Sequence, residues 1–223
     1  MNFKLLISLF VLLSALTANA QITVAGGLTA QQLAEILAGS NVTVSNAVIT
    51  GPSTGYGSFA SSTGFVFPSG VILSNGFITN AVGPNNDPNT SDNLGGAGTA
   101  EMTTLGGANS YDVITLEFDF IVQSSSIQFS YIFASEEYPE FAPPNNPSFN
   151  DVFAFYISGP GIAGQENVAL IPSTSTPVSI NTVNAAFNTQ YYVDNIGGQE
   201  IQFDGYTTDL IATRTGLTPC STY

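Results

Sequence analysis

The 223-residue chain sets sixteen acidic residues against two basic ones and no histidine, a formal net charge of −14, with 43% hydrophobic and only 8% charged residues. That balance repels phosphate backbones and anionic membranes, which excludes nucleic-acid binding. The absence of histidine, together with a single cysteine, excludes Ser-His-Asp and Cys-His catalysis and zinc sites.

Residues 1–20, MNFKLLISLFVLLSALTANA, place Lys4 ahead of an apolar run over residues 5–16, with Ala18 and Ala20 before Gln21. This is the pattern of a cleaved secretory signal peptide. The run is shorter than the roughly twenty apolar residues that a transmembrane anchor needs, and no later segment is long or apolar enough to span a bilayer. The expectation is a secreted or cell-surface chain with no membrane insertion of its mature part. With Lys4 removed, Arg214 is the one fixed cation left. Roughly 200 mature residues suffice for one large β domain, so residues 21–223 read as a single domain.

Along that domain, LTAQQLAEILAGS offers Thr29 as an N-cap, Leu33, Ile36 and Leu37 at helical spacing, and Gly39 as a stop, which predicts one short N-terminal helix. The period then changes to two: Val42, Val44 and residues 47–49 predict a strand broken near Asn46. GFVFPSGVILSNGFIT predicts two short strands, with turns at residues 68–70 and at Asn75-Gly76. Residues 80–110 are too rich in Gly and Asn to bury and read as a long loop.

DVITLEFDFIV puts Ile114, Leu116, Phe118, Phe120 and Val122 on one face; IQFSYIF repeats the pattern with Ile127, Phe129, Tyr131 and Phe133, and the QSSS connector predicts an antiparallel hairpin between the two. DVFAFYIS is apolar on both faces, as a central strand would be. Further strands are expected at NVALI, VSINTV, QYYVD, EIQFDGY and DLIATR, for about ten in all, and no repeat of 20 to 50 residues stands out. The fold class expected is all-β, an antiparallel β-sandwich of jelly-roll type with one short N-terminal helix. Cys220 reads either as half of a disulfide whose partner lies beyond the given sequence or as a buried free thiol.

The acids carry the functional question, because side-chain ion pairing cannot neutralise them; each must stay hydrated, accept hydrogen bonds, protonate or meet an outside cation. In FASEEYPEFAPPNNPSFNDVF, Glu136, Glu137, Asn150 and Asp151 gather oxygen ligands of the kind Ca2+ takes, about six to eight at a time. Glu136 and Glu137 face opposite ways in an extended chain, so one ion uses both only if the strand ends by Ser135, an ending that Pro139, Pro143 and Pro144 favour. Asn150 and Asp151 then close the site from the next strand. The alternatives are hydrated loop acids, or a glycosidase-type carboxylate pair set about 5 to 10 Å apart, against which the absence of Trp argues mildly. A second stretch, NNDPNTSDN with Asp87, Asn89, Asp92 and Asn93, fails the EF-hand pattern: Asp92 stands where Gly is required and Gly98 where Glu is required.

The ordered blocks SNG, YIFASEEYPEF, FNDVFAFYISGPG, NVALIPSTSTPVSINTVN, YYVDN and FDGYTTDL closely resemble the choice-of-anchor L domain family over residues 28–223. That resemblance implies an all-β extracellular module in exported, surface-attached proteins of Bacteroidetes-type bacteria, often joined to a C-terminal sorting or gliding-motility domain and associated with surface adhesion. Such domains continue beyond the CSTY block, so a truncated C-terminus is expected, and the family brings no established catalytic residues. The functional expectation is a non-catalytic surface module, adhesive or ligand-binding, with acidic loops organised by Ca2+ and a surface protein or glycan as partner. The alternatives are a carbohydrate-active domain and a structural spacer of a larger surface protein.

Overall fold

Thr29 starts the first helix as its sequence predicts. In the computed structural model, which describes residues 21–39, 42–62, 65–147 and 149–223, its hydroxyl accepts from Gln32 N at 3.2 Å while Gln32 Oε1 accepts from Thr29 N at 2.9 Å, a reciprocal cap that satisfies two otherwise orphaned donors. Helix α1 (Ala30–Ala38) ends at Gly39, whose φ of 72° suits a residue without Cβ. Leu33 and Ala34 are buried. The predicted signal peptide, residues 1–20, lies outside the described residues.

Among the described residues twelve strands follow the all-β expectation, and every pairing between them is antiparallel. Strands β1 (Ile22–Ala25), β3 (Tyr56–Ser61) and β4 (Ser69–Leu73) form one sheet, and β2 (Thr43–Thr50) pairs with β5 (Thr115–Ile121). β6 (Ser126–Tyr131) pairs with β12 (Leu210–Thr215), and β8 (Tyr156–Ser158) with β9 (Gln165–Asn167). The remaining sheet has the order β10 (Tyr192–Asp194), β11 (Gly205–Thr207), β7 (Ala134–Ser135). These open sheets are consistent with a sandwich. The predicted break in β2 is a bulge between Ser45 and Val48, with Asn46 at φ 55° and its amide donating to Asp119 Oδ2 at 2.7 Å.

Several local expectations are corrected. Among its described residues GFVFPSGVIL gives one strand, β4, which includes Ser69 and Gly70 where a turn is expected, and NVALI is strand only at Asn167, with Leu170 in a single bridge to Pro177. The hairpin expected across QSSS does not form: β5 and β6 belong to different two-stranded sheets and lay their apolar faces together, with the Phe120 and Phe129 rings at 6.5 Å and 84°. Two strands with aromatic inner faces bury more surface stacked than side by side. The segment 80–110 is not all loop, because Thr99 caps a second helix, α2 (Ala100–Gly106), through Met102 N, and Gly107 closes it in the left-handed region. Of DVFAFYIS only β8 is a strand; Phe153 and Phe155 are held by rings, against Tyr131 at 5.0 Å and Phe129 at 4.4 Å. VSINTV is not a strand: Ser179 makes a single bridge to Val152, Thr182 N and Val183 N both donate to Ser179 O in a turn, and Val178, Ile180 and Val183 are fully buried.

Phe133, Tyr138, Ile171, Val178, Ile180, Val183 and Leu210 make one core, beneath the sheet that carries β7. Tyr138 anchors it by donating from its hydroxyl to Val183 O at 2.6 Å. Cys220 is free and exposed, which removes the buried-thiol alternative.

Candidate functional site

β7 ends at Ser135, the condition on which the predicted acids depend, and the chain turns there because Ser135 Oγ accepts from Glu137 N at 3.0 Å. The same hydroxyl donates to Asp151 Oδ2 at 2.6 Å, and Asn75 Nδ2 donates to Oδ1 at 3.3 Å. Burial pushes the Asp151 carboxyl up, against these two hydrogen bonds. Glu137 is pushed up by burial first and then by the charges of Asp151 and Glu140. Glu137 and Asp151 therefore share one electrostatic environment beside Ser135.

The other two predicted ligands are directed elsewhere. Asn150 donates to Gly106 O at 3.1 Å, tying the start of the next segment to the end of α2, while its Oδ1 is buried without a hydrogen-bond partner among the described residues. Glu136 lies in the turn after β7, so the strand ends where the sequence requires, yet its carboxylate has other partners than Ser135 and Asp151. Its Oε1 accepts from Thr90 N at 3.1 Å.

What surrounds Glu136 is a second acidic group. Gly205 pairs with Ser135 in the ladder between β11 and β7, so one step beyond its end the register places Asp204 opposite Glu136. Asp204 is fully buried; its Oδ1 accepts from Asn85 Nδ2 at 2.8 Å and its Oδ2 has no hydrogen-bond partner among the described residues. Glu136 Oε2 is likewise buried and unpartnered. Gln202 Nε2 donates to Asp87 O at 2.7 Å, and its amide lies close enough to Glu136 to favour the charged carboxylate. Burial, then the charges of Asp204 and Asp87, push Glu136 up to about 7 against the opposing influence of Thr90 and Gln202. Burial is also the main cause raising Asp204, with Asn85 pulling the other way.

Sequence reasoning missed Asp204, Asn85 and Gln202. The available signal was the period-two polar pair Gln202 and Asp204 in EIQFDGY, with a buried face where solvent was expected. Asp87 belongs to the second acidic stretch of the sequence, NNDPNTSDN. The rest of its loop serves local structure: Asn89 N donates to Asp87 Oδ1, Gly95 N to Asn93 Oδ1, and Asn80 to Asp92.

Among the described residues neither acidic group has a cationic side chain, because Arg214 is paired with Glu166 at 3.0 Å. Among the described residues, no three His, Cys, Asp or Glu side chains are gathered so as to hold a metal on their own. Any ion at either group would therefore draw on neutral oxygens as well. A depression of 470 Å³ beside α2, lined by Glu101, Thr104, Leu105, Tyr156 and Gln165, contains none of these acids. Among the described residues no helix is long and apolar enough to cross a membrane.

The family model of the choice-of-anchor L domain matches residues 21–223. No curated protein and no solved structure matches the chain.

Proposed function

The chain belongs to the choice-of-anchor L domain family, a non-catalytic kind of surface-associated extracellular domain, and from that premise we propose that it is an adhesion or ligand-binding module whose acidic loops are organised by Ca2+. The observation that carries this reading is the convergence of Glu137 and Asp151 beside the Ser135 turn, with the cation of the mature chain engaged elsewhere. Two carboxylates within reach of each other's charge and partly withdrawn from water repel each other unless a proton or a cation intervenes. A hard cation with oxygen ligands relieves that repulsion and fixes the loop between β7 and β8 against the turn at Asn75. The loop so fixed is the surface offered to a protein or glycan partner, and a metal-dependent loop geometry makes recognition depend on extracellular Ca2+.

The test is a thermal melt with CaCl2 and with MgCl2. A ligand that binds only the folded state adds about 2.7 kcal/mol at about 100 times its Kd, so wild type should melt higher in CaCl2 and Asp151→Asn should lose most of that gain. Binding to immobilised glycans or surface proteins should then follow the metal and vanish on chelation. Equal melting with and without Ca2+ would overturn the metal part of this reading.

A further inference from the structure

We infer that Glu136, Asp204 and the segment from Asn85 to Asp87 form a site for a Ca2+-class cation, with partners separate from those of the Glu137–Asp151 pair. Two observations carry it independently of the charge count. Extending the β7–β11 register one step past its end brings Asp204 opposite Glu136, two like charges that disfavour each other unless something lies between them. Each of the two carboxylates also keeps one buried oxygen, Oδ2 of Asp204 and Oε2 of Glu136, without a hydrogen-bond partner among the described residues. A buried carboxylate oxygen left unbonded is costly. Two such oxygens, on residues that follow the end of one ladder, point to a ligand that both bind.

The remaining oxygens favour a metal over another donor. Asn85 is buried and orients Asp204 through its Nδ2, while its Oδ1 receives only a 3.5 Å approach from Gln202 and has capacity to spare. Asp87 is exposed, so the site has a charged mouth toward solvent through which an ion can enter. The donors come from three separate stretches of chain, near 85–87, at 136 and at 204. Such an irregular set suits Ca2+, which accepts variable geometry, better than Mg2+, which demands a near-ideal octahedron. A proton shared between Glu136 and Asp204 is the competing occupant, and it makes the opposite prediction for metal stoichiometry.

The experiment counts bound Ca2+ per chain by titration of the purified protein, with tyrosine-sensitised Tb3+ luminescence as a second probe. Asp204→Asn and Glu136→Gln should each lose one equivalent of Ca2+, and both metal-free variants should melt no lower than metal-free wild type, since a like charge has been removed. If Asp204→Asn fails to fold, Glu136→Gln carries the test alone. An unchanged Ca2+ count in the folded variants overturns the inference in favour of the shared proton. Loss of Ca2+ only in Asp151→Asn overturns it while leaving the loop site standing, and loss only in Asp204→Asn and Glu136→Gln does the reverse.

Discussion

Glu136 sits half-buried between a backbone donor on one side and Asp204 and Asp87 on the other, and its titration exposes that position. Its folded-state value of about 7 lies above the ordinary 4.5, so the folded chain holds this proton more tightly than the unfolded chain does. Stability from this group is therefore fully present below the unfolded value and is lost as pH rises through about 7. Glu137, Asp151 and Asp204 shift in the same direction. The metal-free protein should accordingly melt at progressively lower temperature between pH 5 and about 7, and Glu136→Gln should flatten that slope. Ca2+ competes with the proton, so its stabilising effect should grow over the same range. Tyr138 tests a different single contact: it is fully buried and donates to Val183 O. Tyr138→Phe leaves that carbonyl without its side-chain donor, and urea unfolding should show a loss of about 1–3 kcal/mol.

At the scale of elements, local signals and tertiary packing contribute separately, and two substitutions tell them apart. Thr29→Ala removes a cap made within four residues and should cost about 1 kcal/mol in denaturant unfolding. Phe120→Ala opens a space among Phe118, Phe129 and Tyr223 where β5 stacks on β6, and should cost about 3–5 kcal/mol. The same division explains what was legible in the sequence. The Thr29 cap, the Gly39 stop, the break at Asn46 and the strand at DLIATR rest on neighbouring residues, and the structure agrees with each. Whether consecutive strands pair or stack is decided by distant partners, β2 for β5 and β12 for β6, and QSSS carries no trace of that choice. The site divides likewise. Glu136, Glu137 and Asp151 are visible as a dense acidic stretch, but Glu136 is held apart from Glu137 by Thr90, and its neighbour Asp204, sixty-eight positions later, is legible only once β7 and β11 are paired.

For the whole molecule, net charge and specific binding predict different responses to salt. A chain of formal charge −14 with one ion pair among its described residues repels itself, so metal-free stability should rise with NaCl as the Debye length shrinks from about 30 Å at 0.01 M to about 10 Å at 0.1 M. The exposed pair between Arg214 and Glu166 contributes little to this balance, and Arg214→Gln should change stability by less than about 1 kcal/mol. Screening depends on ionic strength alone and takes no account of which cation supplies it, whereas a site of oxygen ligands distinguishes Ca2+ from Na+ and Mg2+. Melting curves at matched ionic strength separate the two effects. Millimolar CaCl2 should raise Tm well above the NaCl curve, with MgCl2 between them, and the excess should disappear in a chain carrying both Asp151→Asn and Asp204→Asn. Coincident CaCl2 and NaCl curves would mean that self-repulsion accounts for the acidic groups, and both cation sites would fall together.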